Sequence, residues 1–96
     1  MQTTAVKHGI YNIHKHLCYR ELSESAVGWF LDKHRLSDTC VLVNLQTSKH
    51  LDCWGTCHKG DIVDYVVNVA TDQSIRDFIA TLMHELVHVL QWERGT

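Results

Sequence analysis

The clearest hydrophobic pattern lies near the C-terminal end. Ile75, Phe78, Ile79, Leu82, Leu86, Val89 and Leu90 recur at spacings of three and four, which puts them on one face of an α-helix. The pattern predicts a helix over about residues 72–92, with Thr71 as N-cap, Asp72 in the first turn and Gly95 where the helix stops. A second helix is expected over about 23–35. Ser23 would be its N-cap, Leu22 and Val27 its hydrophobic staple, and Lys33, His34 and Arg35 would stand at its negative end.

Between the helices the period changes. Thr39 to Gln46 is β-branched and apolar, the composition of a strand. A polar turn at 47–50 leads to a short second strand at 51–58, and Lys59-Gly60-Asp61 makes a tight connection. The third strand, 62–70, alternates. Val63, Tyr65, Val67 and Val69 share one face, and Ile62, Asp64, Val66 and Asn68 give a half-wet other face. Residues 1–20 fit both periods: Tyr11, Ile13, Lys15, Leu17 and Tyr19 alternate, while Ile10, Ile13 and Leu17 also share a helix face. Helix is the preferred reading, continuing toward Leu22. The expected fold is a single α+β domain over 1–96: a small three-stranded sheet, a helix before it, and the C-terminal helix packed on it.

Composition narrows the class. At 96 residues there is room for one domain. The 45% apolar and 21% charged residues fit a soluble globular protein and exclude disorder. No stretch approaches the roughly 18 apolar residues of a membrane span. Lys7, His8, His14, Lys15, His16 and Arg20 leave no signal-peptide core in the first twenty residues, so a cytoplasmic location is expected. A net charge of −2 speaks against direct nucleic-acid binding. Four cysteines (Cys18, Cys40, Cys53, Cys57) are expected as reduced thiols in that compartment, with Cys40 in the core.

Eight histidines are the outlier, and two of them sit in the C-terminal helix as His84-Glu85-Leu86-Val87-His88. Residues i and i+4 lie on one helix face, one turn apart. Two neutral imidazoles so placed can bind one Zn2+ at about 2.0–2.1 Å per nitrogen. Glu85, next to His84, can take a proton from zinc-bound water, whose pKa falls toward ~7, and deliver it to a leaving amine. This is the HExxH pattern of zinc metallopeptidases.

The segment TLMHELVHVLQWERG resembles the active-site helix of zincin metallopeptidases. The order helix, three strands, HExxH helix looks like the SprT-like branch and related small phage-type enzymes. The resemblance is specific over about 71–95 and architectural over about 23–70. It implies His84 and His88 as metal ligands, Glu85 as catalytic base and acid, a peptide or protein substrate, and the strand at 62–70 as the edge strand that pairs with an extended substrate. Zincins also take a third His or Glu ligand from beyond the motif helix. The metzincin pattern would need Gly at 91 and His at 94, where this chain has Gln91 and Arg94. Three sources stay open for the third ligand: a continuation beyond residue 96, Glu93, or an upstream residue such as His58, His50 or Asp64.

Other constellations weigh less. Cys53 and Cys57, followed by His58, are spaced one residue too widely for c-type haem attachment. A structural zinc from Cys53, Cys57 and two of His14, His16 and Cys18 is chemically sound, but the preferred reading is two core cysteines on one strand face. His14 and His16 are expected in solvent, Trp29 and Trp54 in the packing, Trp92 over the motif helix, and Tyr65 buried. The expected function is zinc-dependent peptide-bond hydrolysis; the alternative is a non-catalytic zinc-binding or interaction module.

Overall fold

The computed structural model describes residues 3–8 and 13–95, with side chains from Cys18 onward except that of His50. The elements are β1 (Thr3–His8), α1 (Ile13–Lys33), β2 (Cys40–Gln46), α2 (Ser48–Leu51), β3 (Gly55–Lys59), β4 (Tyr65–Ala70) and α3 (Ile75–Arg94). The class is α+β, two long helices on a mixed sheet. The three expected strands are present as β2, β3 and β4, and β1 extends the sheet beyond β2. The order is β1-β2-β4-β3, parallel except for β3, which pairs antiparallel with β4.

The core fills the space between one sheet face and the two helices. Val41, Val43 and Leu45 of β2 stand in register with Tyr65, Val67 and Val69 of β4, and all six are buried. From α3, Phe78, Leu82, Leu86 and Val89 complete this layer without measurable exposure. Full burial of each such side chain stabilises by about 1.5–3 kcal/mol. Tyr19 of α1 joins the helices: its ring lies 4.3 Å from that of Phe78, and its hydroxyl donates to the Gln73 carbonyl at 2.7 Å. On the opposite sheet face a polar ladder crosses three strands. Asn44 Nδ2 donates to Asn68 Oδ1 at 3.1 Å, and Asn68 Nδ2 to Thr56 Oγ1 at 2.9 Å.

Several expectations are corrected. Ser23 caps nothing: α1 runs through it, and its buried hydroxyl donates to the Tyr19 carbonyl one turn back at 2.7 Å. The helix ends at Lys33, and Arg35 beyond it takes the left-handed region at φ 59°, with Leu36 N–H donating to Leu31 O at 2.8 Å. Residues 3–8 are strand, not helix. In place of the polar turn expected at 47–50 there is a helical turn, Ser48–Leu51, capped by the Asp72 carboxylate through Ser48 N at 2.7 Å. That contact removes Asp72 from α3, whose N-cap is Ser74 rather than Thr71; Ser74 Oγ accepts from Asp77 N at 3.1 Å. Gly95 closes α3 at φ 67° as expected.

The edge strand is also corrected. β4 is hydrogen-bonded on both sides, to β2 and to β3, so it cannot receive a further strand. Among the described residues the open edge belongs to β3. Trp29 and Trp54 are each more than half exposed rather than core residues, and Cys40 is half-buried on the face away from the helices. All four cysteines are free thiols. No described helix is long and apolar enough to cross a membrane.

Candidate metal centre

The buried stripe of α3 fixes where its polar residues point. His84 falls on the exposed side, His88 is half-buried, and Glu85, three residues after Leu82, is buried at 7% exposure. The imidazole centres of His84 and His88 are 5.1 Å apart, with ring planes at 90°. Two imidazoles on one tetrahedral ion, with Zn–N near 2.0–2.1 Å, have centres about 5 Å apart. The pair therefore stands at the separation that a shared ion requires.

His88 is also oriented. Its Nδ1 lies 3.2 Å from Gln91 Oε1. An amide oxygen only accepts, so this contact suits the tautomer with its proton on Nδ1, which would leave Nε2 free for a metal ion. Trp92 stacks on Tyr65 with centres 5.7 Å apart and stands 6.4 Å from the His88 ring.

Glu85 turns toward β3. A Cβ placed on Gly55 would come 3.2 Å from Glu85 Oε2 and 2.6 Å from Thr81 Cγ2. The glycine is thus what lets the carboxylate settle against the strand. Among the described residues no hydrogen-bond donor or cation partners this carboxylate. A buried carboxylate without a partner is costly, and fold stability alone gives no reason to keep one there. Its charge and, above all, burial raise the nearby Cys57 thiol to about 12. Tyr65 is raised as well, by burial and by its hydrogen bond to Glu93 Oε2 at 2.5 Å.

The edge of β3 runs beside this carboxylate. Trp54 accepts from Ala70 N at 2.8 Å, and Gly60 donates to Asp64 O at 3.1 Å. Hydrogen-bonded pairs alternate along an antiparallel ladder, so the N–H and C=O groups of Gly55, Cys57 and Lys59 point to the open edge.

Three of the candidate third ligands, His58, Asp64 and Glu93, are described. His58 alternates with Cys57 and so lies on the sheet face away from α3. The Asp64 carboxylate accepts from Cys40 N at 2.7 Å, and Glu93 is held by Tyr65. The side chains of His50, His14 and His16 lie outside the described residues. Among the described residues no group of three or more His, Cys, Asp or Glu side chains could hold a metal ion. Cys57 packs against the core, whereas Cys53 precedes β3 and contacts the Leu51 and Gly55 carbonyls. Sequence reasoning missed Gly55, whose only signal was a glycine inside a strand pattern, and Gln91, one helical turn after His88. No family model matches the chain, and neither curated proteins nor solved structures give a match.

Proposed function

We propose that the chain is a zinc-dependent metallopeptidase domain of the zincin type. The observation that carries this reading is the buried, unpartnered Glu85 carboxylate between two one-turn-spaced histidines and an open strand edge. His84 and His88 would hold the ion, with Gln91 fixing the His88 tautomer. When bound, zinc supplies polarisation of the scissile carbonyl and lowers the pKa of a bound water toward ~7.

The remaining chemistry belongs to side chains and backbone. An extended peptide pairs with the outward groups of Gly55, Cys57 and Lys59, recognition that leaves side-chain identity largely free. Glu85 takes one proton from the attacking water. The oxygen bonds to the carbonyl carbon, the C–N bond breaks, and Glu85 returns the proton to the amine nitrogen, so that one water is added across the amide. Four free thiols suit a reducing compartment, and we place the domain in the cytoplasm.

The test is hydrolysis of a quenched-fluorescent peptide library with added zinc, beside Glu85→Gln. Removing a general base is expected to lower the rate by about 10²–10⁴-fold while zinc affinity stays unchanged. Zinc uptake without hydrolysis in the native chain, or equal rates in both proteins, would leave the non-catalytic zinc module as the better account.

A further inference from the structure

A groove of about 440 Å³ is lined by Trp54, Gln73, Asp77, Ala80 and Thr81. Its position is set by helical phase: Asp77 and Ala80 stand seven and four residues before His84, on the same face of α3. At 1.5 Å per residue the groove is roughly 6–10 Å from His84 along the helix. Its other wall, Trp54, immediately precedes Gly55 on the open edge of β3. The groove therefore continues the track between that edge and α3.

The chemistry of its walls is specific. Gln73 is spent internally: Nε2 donates to Ala70 O at 2.7 Å, and Oε1 accepts from Thr81 Oγ1 at 3.2 Å. That leaves two groups to meet a ligand. Trp54 is 53% exposed. Asp77 is the one charged lining residue, and among the described residues its carboxylate has no ion-pair partner. An exposed aromatic face beside an unpaired carboxylate suits a guanidinium or ammonium on an aliphatic stem. An acidic side chain would be repelled there, and an aliphatic one would leave the carboxylate unused.

We infer that this groove is a subsite for an arginine or lysine side chain of an extended peptide, about two to three residues from the bond to be cut, given roughly 3.3 Å per residue of strand. The inference rests on the peptidase reading for the track of the peptide, but its test needs no hydrolysis. The probes are blocked alanine hexapeptides carrying one arginine, one leucine or one glutamate. They are titrated into the 15N-labelled full chain without metal, following the Trp54 indole and Thr81 amide resonances by NMR. The arginine peptide is expected to bind about five- to tenfold tighter than the leucine peptide, the worth of one partly exposed cation–π contact and one surface ion pair. The glutamate peptide is expected to bind weakest. Asp77→Asn and Trp54→Ala should each reduce the arginine preference.

Equal binding of the three peptides, a preference that survives Asp77→Asn, or shifts that avoid Trp54 would overturn the subsite. Arginine-selective binding by a chain that cleaves nothing would sustain the subsite and count against the peptidase. Cleavage indifferent to the cationic residue would do the reverse.

Discussion

Glu85 lies directly over Gly55, so closely that a Cβ on the glycine would stand 3.2 Å from the carboxylate and 2.6 Å from Thr81 Cγ2. Strand β3 is thereby matched to helix α3 at one residue. Gly55→Ala should force Thr81 and Glu85 outward. Overpacking of this kind costs about 1–3 kcal/mol, which lowers Tm by roughly 4–24 °C in a domain of this size. Thermal unfolding followed by circular dichroism reads the shift; an unchanged Tm would show that the strand slides away freely.

Gln91 Oε1 stands 3.2 Å from His88 Nδ1. Gln91→Ala removes that partner without touching the core, because position 91 is exposed. Loss of such an orienting hydrogen bond typically weakens metal binding 10–100-fold. The expected result is a fall of about tenfold in zinc affinity with Tm unchanged in the metal-free protein, measured by competition with a chromogenic chelator.

The half-buried Cys57 thiol and the buried Tyr65 hydroxyl bear on stability at alkaline pH. The Cys57 thiol is raised from 9.0 to about 12, and Tyr65 is raised above its ordinary 10.0, in both cases chiefly by burial. A group whose folded pKa exceeds its unfolded value contributes stability fully below the unfolded value and loses it as pH rises toward the folded one. Tm should therefore hold up to about pH 9 with respect to these groups and then fall through pH 12. Cys57→Ala should remove the earlier part of that fall, and a profile identical to the native protein's would contradict the placement of the thiol. At pH 8 a thiol reagent should modify exposed Cys18 well before Cys57.

Local signals were legible where one element carried them alone. The stripe from Ile75 to Leu90 and the stop at Gly95 announce α3 because helical spacing and a left-handed cap are properties of adjacent residues. Ser23 misled for a local reason of its own: a serine can cap a helix or bond back to the carbonyl one turn earlier, and here it does the second. The edge strand depended on long-range pairing, which alternation cannot show. Composition did hold a hint, since YVVNVA of β4 is nearly continuous apolar sequence, as interior strands are, while GTCHK of β3 is polar, as edges tend to be. His84, Glu85 and His88 were readable from spacing, whereas the burial of Glu85 depends on Gly55 thirty residues earlier and emerges only when β3 meets α3.

The central claim is that His84 and His88 together hold a metal ion. Calorimetric titration of zinc into the native chain, His84→Ala, His88→Ala and His58→Ala tests it most directly. The account predicts one zinc per native chain, binding abolished in both α3 variants, and no change in His58→Ala, because His58 lies on the far face of the sheet. Zinc uptake that survives loss of His84 or His88, or no uptake by the folded native chain, would contradict it.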